Sequence, residues 1–447
     1  MKVLVVGSGG REHALAWKLS QSPELDELHA APGNPGIAAL GTCHPVRGED
    51  AEGLLELART LEVDLVVVGP ERPLVTGVAD ELRHAGVSVF GPTAAAARIE
   101  GSKSFAKEVM DAADVPNAGR LSDPRAPCVV KVDGLAAGKG VFVCRTEADL
   151  EHGLRRAAAL GGEVVVEELL EGDELSVFAL CDGSRAIPLG AARDYKRAED
   201  GDAGPNTGGM GSFSPVDGFH ADRTAELVEQ IHVPVLEQLA RRGAPFIGVL
   251  YAGLMLTEDG PHVLEFNCRL GDPEAQTILP TLDDDLLPGL AAAAAGDVAR
   301  CAVAVSDRAA VTVVVAAGNY PDGSDVGSPI DGIEEAERTG ALVFHAGTAR
   351  RAGALVTNGG RILSVTGSGV TLEAAREHAY AGVERISFSG ARYRRDIARV
   401  GRSRRRHPDR LRVGPGADAA GARRARGPRD RVRARGSLGT PAAGRGG

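Results

Sequence analysis

Three short stretches hold residues whose types and spacing could do phosphate chemistry. In HVLEFNCRLGDPEAQ (262–276), Glu265 and Asn267 stand two positions apart on a predicted strand. Side chains at that spacing share one face. A carboxylate and an amide oxygen side by side suit Mg²⁺, which prefers oxygen donors and also takes phosphate oxygens. Arg269 continues the same face. A cation beside a metal site makes sense if a transferring phosphoryl group lies between them. Asp272 and Glu274 follow in the next loop. A structural salt-bridge network is the plainer alternative.

The second stretch is KVDGLAAGKGVFV (131–143), with Lys131, Gly134, Gly138, Lys139 and Gly140. It does not fit the G-x-x-x-x-G-K-[ST] phosphate loop. The first spacing is one residue short, and Gly140 replaces the metal-binding hydroxyl. Its context is strand, turn, strand, which suits a glycine-rich lid folding over nucleotide phosphates. The third stretch, GSGGREH (7–13), follows a strand and opens a helix, so Gly9, Gly10 and Arg11 could hold a phosphate at the helix N-terminus. Glu12 occupies the last glycine position of the dinucleotide fingerprint, which argues against NAD. A weaker signal is VVVEELLEGDELS (164–176), whose carboxylates, Glu168 and Glu174 among them, suit a ribose and adenine site.

These residues need elements to hold them. Residues 1–101 alternate strand, glycine turn and helix: VLVVG (3–7), a helix over 11–21, DLVVVGP (64–70), a helix over 74–86 and VSVFGP (87–92). That pattern predicts a Rossmann-like parallel α/β domain. Residues 102–300 mix hairpins and helices, with a small lid expected at about 115–182. A long polar loop, 193–215, reads as functional rather than as a linker. Residues 301–398 predict a small α+β domain with strands VTVVVAAG, ALVFHAG and RILSVTG. The overall class is thus α/β and α+β. The Arg/Gly-rich remainder, 399–447, has too few large apolar residues to fold; it reads as an accidental extension, with a nucleic-acid-binding arm as the alternative.

Of the 447 residues, 43% are hydrophobic, the expected composition of a globular chain. Residues 399–447 carry 15 Arg, no Lys and 3 Asp, or +12. The chain's −10 less that +12 leaves −22 for the rest. So acidic a body is a poor nucleic-acid binder. No run of 18 apolar residues predicts a membrane span, and a strand beginning at residue 2 leaves no room for a leader. Six scattered cysteines with no C-x-x-C spacing read as reduced thiols in a cytoplasmic protein.

Taken together, the motifs resemble the glycinamide ribonucleotide synthetase family of the ATP-grasp superfamily. MKVLVVGSGGREHALAWKL, DLVVVGPERPLVTGVAD, VVKVDGLAAGKGV, DYKRAEDGDAGPNTGGMGSFSP, LEFNCRLGDPEAQ and VTNGGRILSVT carry the resemblance, which runs from residue 1 to about 398. The pair GPNTGGMG and EFNCRLGDPE is its most specific part. The resemblance implies ATP-dependent joining of glycine to 5-phosphoribosylamine through glycyl phosphate, a step of purine biosynthesis.

By resemblance, Lys103, Lys131 and the loop with Gly138, Lys139 and Gly140 grip ATP phosphates. Glu168, Leu170 and Glu174 frame adenine and ribose, and Glu265 and Asn267 bind Mg²⁺ or Mn²⁺. Arg269 stabilises the transferring phosphoryl group. The loop from Asp194 to Gly211, with Asn206, Thr207, Gly208, Gly209 and Met210, surrounds glycine and the amine, and Gly9, Gly10 and Arg11 lie near the ribosyl phosphate. A monomer acting on small molecules, with no nucleic-acid or membrane partner, is the expected assembly. Residues 117–127 are shorter than the family's usual stretch there. Tyr195 replaces a His or Phe common among relatives, a change expected to matter little.

Overall fold

A computed structural model describes residues 1–135, 140–299, 301 and 303–399. Gly138, Lys139 and the tail beyond Arg399 lie outside the described residues.

The first hundred residues form a five-stranded parallel sheet in the order Thr42–Cys43, Glu27–Pro32, Lys2–Gly7, Leu65–Val68, Val89–Phe90. Val3, Leu4, Val5 and Val6 are completely buried, as an unbroken apolar run requires when both sheet faces are covered. Strand order reverses beside Lys2–Gly7. In open parallel sheets such a switch point opens a crevice at the carboxyl ends of the strands, and Arg11 and Glu71 stand there. The single helix expected over 74–86 is interrupted. Glu71–Val75 and Val78–His84 are separate helices because Gly77, at φ +92°, turns the chain between them.

The central sheet has eight strands: Gly260–Asn267, Ile247–Thr257, Asp173–Asp182, Ala186–Asp194, Gly211–Ser214, Ala309–Ala316, Arg361–Gly369 and Leu342–His345. All neighbours are antiparallel. The strands after residue 308 therefore continue this sheet, joined to the rest by Gly211–Ser214. That short strand comes from the stretch expected to be a structureless loop. Arg197–Glu199 and Ala203–Asn206 in the same stretch pair as an antiparallel ribbon. Its backbone groups find strand partners, which polar composition could not reveal.

A small lid stands apart with its own core. Its sheet runs Val141–Cys144, Cys128–Val132, Val164–Glu168, covered by helix Glu147–Leu160. Cys128, Val130, Val132, Cys144, Leu150 and Ala157 pack between them. Thr146 starts the helix with a capping box: its side chain accepts the Asp149 amide, and the Asp149 carboxylate accepts the Thr146 amide at 2.9 Å. The short 117–127 stretch ties onto the lid edge through Leu121 N–H, donated to the Val166 carbonyl at 2.9 Å. All six cysteines are free thiols.

Candidate active site

Lid, central sheet and N-terminal crevice enclose one cleft of about 1270 Å³. Three helix and strand ends feed it. Helix Lys103–Ala112 begins at Lys103, after Ser102 accepts the Phe105 amide as N-cap. Lys131 projects from lid strand Cys128–Val132. Glu265 and Asn267 project from strand Gly260–Asn267 at the edge of the central sheet.

Most residues singled out from the sequence meet in this cleft. Arg11, Lys103, Lys131, Gly140, Glu168, Leu170 and Glu174 line it, as do Asp194, Asn206, Thr207, Gly208, Glu265, Asn267 and Arg269. Gly9, Gly10, Gly209 and Met210 do not line it. The Gly9 amide donates to Glu12 Oε2 at 2.6 Å, so a side-chain carboxylate already occupies this helix N-terminus. Gly10 lies against Gln276: a Cβ there would meet Gln276 Nε2 at 2.5 Å. Gly209 passes so close to Pro273 that a Cβ would meet its ring at 2.4 Å. Met210 is completely buried, and its carbonyl accepts the Val314 amide at 3.0 Å.

Buried carboxylates organise the cations. Lys131 Nζ lies 2.7 Å from Glu167 Oε2 and donates to the Leu264 carbonyl at 2.9 Å. Lys107 Nζ reaches the other oxygen of Glu167 at 3.3 Å. Arg269 sits just past the end of its strand. It donates to Glu71 at 3.2 Å, to Glu100 at 2.9 Å and to Asn267 Oδ1 at 3.4 Å. Burial opposes the charge on Arg269, but Glu100 and Glu71 outweigh it and hold the guanidinium protonated. Burial likewise works to raise Glu71, yet Arg269 and Arg11 bring it down to about 2.

Glu265 differs from these paired acids. Its carboxylate has no hydrogen bond or ion pair among the described residues. Burial pushes its pKa up, but the fields of Lys103, Lys131, Lys196 and Arg269 outweigh that and keep it ionised. An ionised, acceptor-only carboxylate beside an amide oxygen is a ready half-site for Mg²⁺, whose remaining oxygens come from phosphates and water. No group of three or more His, Cys, Asp or Glu able to hold a metal occurs among the described residues.

A second acidic group lies at the other end. Lys196 Nζ bridges Glu174 at 2.5 Å and Asp194 at 3.0 Å. Burial pushes Asp194 up, and burial followed by the charge of Asp194 pushes Glu274 up to about 7. Arg361 closes the arrangement. One guanidinium nitrogen donates to the carbonyls of Gly208 at 2.5 Å and Asp272 at 2.6 Å, and the other pairs with the Asp272 carboxylate at 3.2 Å. Tyr320 OH accepts the Gly208 amide at 2.8 Å.

Sequence reading did not single out Lys107, Glu71, Glu100, Lys196, Arg361 or Tyr320. Each lies far along the chain from its partner or sits in an ordinary polar context. The available signal was membership of a motif already flagged: Lys196 stands two residues from Asp194, Glu71 lies in DLVVVGPERPLVTGVAD and Arg361 in VTNGGRILSVT.

A lid bearing lysine over an antiparallel sheet bearing carboxylate and amide, with a cleft between, defines an ATP-grasp ligase. Comparison with known proteins supplies the family. Residues 1–100, 101–275 and 310–400 match the N domain, the ATP-grasp (A) domain and the C domain of phosphoribosylglycinamide synthetase. The chain belongs to this family of ATP-dependent ligases.

A phosphoribosylamine–glycine ligase of Mesorhizobium japonicum is 48% identical over 414 residues, covering 89% of this chain and 97% of that protein. The crystal structure of the phosphoribosylamine–glycine ligase of Thermotoga maritima superposes with a TM-score of 0.77 at 36% identity, over 89% of this chain and 100% of that one. The biotin carboxylase domain of Hydrogenobacter thermophilus 2-oxoglutarate carboxylase, solved with MgADP and bicarbonate, shares the fold at TM-score 0.66 and 17% identity. That match covers 88% of this chain and 91% of the other. No helix among the described residues is long and apolar enough to cross a membrane.

Proposed function

We propose that this cleft joins glycine to 5-phosphoribosylamine at the expense of ATP, giving glycinamide ribonucleotide, ADP and phosphate in purine biosynthesis. One observation carries the reading. Arg361 fastens the GPNTGGMG loop at Gly208 to Asp272, so the specific loop stands in the same cleft as Glu265, Asn267 and Arg269.

A glycine carboxylate oxygen attacks the γ-phosphorus, the bond to the β-phosphate oxygen breaks, and ADP leaves. The amine nitrogen of phosphoribosylamine then attacks the glycyl carbonyl carbon. The carbon–oxygen bond to phosphate breaks and the amine gives up a proton. Such transfers ask mainly for positioning and charge neutralisation. Lys103 and Lys131 hold the phosphates, together with the glycine turn that includes Gly138, Lys139 and Gly140. Glu168, Leu170 and Glu174 frame the nucleoside.

Arg269 takes charge developing on the transferring group, and Asp194, pushed up by burial, is placed to accept the amine's proton. Glu265 and Asn267 would hold Mg²⁺, which supplies neutralisation of phosphate oxygens; Mn²⁺ meets the same donors. The MgADP in the 2-oxoglutarate carboxylase neighbour supports the nucleotide and metal assignment. Arg11 remains the candidate contact for the ribosyl phosphate, since Glu12 stands at the Gly9 amide. The working division is 1–101, 102–300 and 301–398, acting as a monomer; the lid, expected at about 115–182, ends before strand Asp173–Asp182, which belongs to the central sheet.

ADP release in the presence of ATP and Mg²⁺ tests this. Release should require both glycine and phosphoribosylamine. Release without either one, or only with a different acid or amine, would replace this reading with another ATP-grasp ligation.

A further inference from the structure

Arg394 heads the fully buried side chains by size, at 1% exposure, and nothing in the ligation described above uses it. Its partners are narrowly chosen. Nε and Nη2 grip the two oxygens of Asp396 at 2.8 and 2.6 Å, while Nη1 donates to the Arg197 carbonyl at 3.0 Å and to Asp202 at 2.8 Å. The guanidinium carbon sits 4.7 Å from the centre of the Tyr195 ring. The adjoining backbone adds to the grip. The Arg395 amide donates to Asp200 at 2.7 Å, the Gly201 amide to Asp396 at 2.8 Å, and the Ala398 amide to Tyr195 OH at 3.0 Å. Arg392 donates to the Ala198 carbonyl at 3.0 Å.

Apart from the local Arg394–Asp396 pair, these bonds cross to one stretch, residues 195–202, nearly 200 positions earlier. That stretch also forms the cleft wall. The Lys196 carbonyl accepts both the amide and the hydroxyl of Thr207, at 2.7 and 2.9 Å. The Lys196 ammonium meets Glu174 and Asp194. None of the Arg394 bonds reaches the lid, Lys103 or Lys131. A buried guanidinium is retained where its planar fork specifies a geometry that apolar packing would leave loose.

We infer that the segment 392–398 is a clasp on the substrate loop and that Arg394 is a positioning residue for the two substrates that loop surrounds, glycine and phosphoribosylamine, rather than for the nucleotide. This rests on the ligase reading above.

The test uses the full chain with Arg394→Met and Arg394→Lys. Kinetics of ADP release are measured against ATP, glycine and phosphoribosylamine in turn, and MgADP affinity by calorimetry. The expected result for Arg394→Met is a loss of about ten- to a hundredfold in kcat/KM for glycine or phosphoribosylamine, the scale of a displaced positioning group. MgADP affinity should stay within about twofold. Arg394→Lys should fall between, since it keeps charge but loses the fork. Unchanged kinetics, or MgADP affinity falling by the same factor, overturns the clasp.

If Arg394→Met does not fold, Asp202→Asn removes the loop's carboxylate charge facing Arg394 and should show the same selectivity at smaller size; no selective loss overturns the proposal. Hydrogen exchange reads the clasp without activity. Amides of 195–209 should exchange faster in the variants, and those of Cys128–Val132 should not; equal exchange in 195–209 overturns it. Should the variants show this exchange difference while the wild type releases no ADP with both substrates, the ligase reading falls while the clasp stands.

Discussion

Lys131 and Lys107 are held by opposite oxygens of one carboxylate, Glu167, at 2.7 and 3.3 Å. All three side chains are almost completely buried. The lid strand bearing Lys131 and the helix bearing Lys107 are thereby locked to one charge, which fixes where the Lys131 ammonium stands in the cleft.

Removing that charge strands two buried ammonium groups. Breaking a buried ion pair from one side costs about 3–5 kcal/mol. Glu167→Gln should lower the melting temperature by several degrees and weaken ATP binding together with it. Thermal denaturation with and without nucleotide checks this, and an unchanged melting temperature would show that Glu167 does not hold the pair.

Glu265 is an ionised cleft carboxylate with no hydrogen bond or ion pair among the described residues. Glu265→Ala should reduce kcat by orders of magnitude, about 10² or more for loss of a phosphate-clamping metal, with an unchanged circular dichroism spectrum. Near-normal turnover would remove Glu265 from the metal site.

Glu274 supplies a pH signature. Burial and Asp194 raise it from 4.5 to about 7 in the folded chain, so folding favours its protonated form. That contribution is complete below about pH 4.5, the unfolded value, and is lost as pH rises through 7. Glutamine mimics the protonated form at every pH. The melting temperature of wild type minus that of Glu274→Gln should therefore fall between pH 5 and pH 8; a flat or rising difference contradicts the assignment.

A chain ending at Arg399 retains the clasp residues Arg392, Arg394, Asp396 and Ala398. Its ligation kinetics should match those of the full chain. A large loss would make residues beyond 399 part of the enzyme.

Much of the site was legible because phosphate chemistry demands residue types at short spacings. Glu265 and Asn267 share a strand face by two-residue periodicity, and the strand–turn–strand context of Lys131 separated it from the Walker pattern. The parallel N-terminal sheet was legible in runs such as VLVVG for the same local reason. The region 193–215 was not: its strands have polar sequences, Gly211–Ser214 is held by pairing with distant Ala309–Ala316, and Arg197–Glu199 and Ala203–Asn206 pair with each other. The helix over 74–86 was read as continuous because a glycine's positive φ leaves no mark on the apolar pattern around it.

The amino-acid sequence by itself determined the family and the residue types that line the cleft, since each depends on neighbours within a few residues. Tertiary structure alone decided which charges face each other. Glu167 is shared by two lysines, Arg361 pins Gly208 to Asp272, and Arg394 grips a loop nearly 200 residues away. Those pairings follow from desolvation: a buried charge must find a partner wherever the fold brings one, and sequence distance does not enter that requirement.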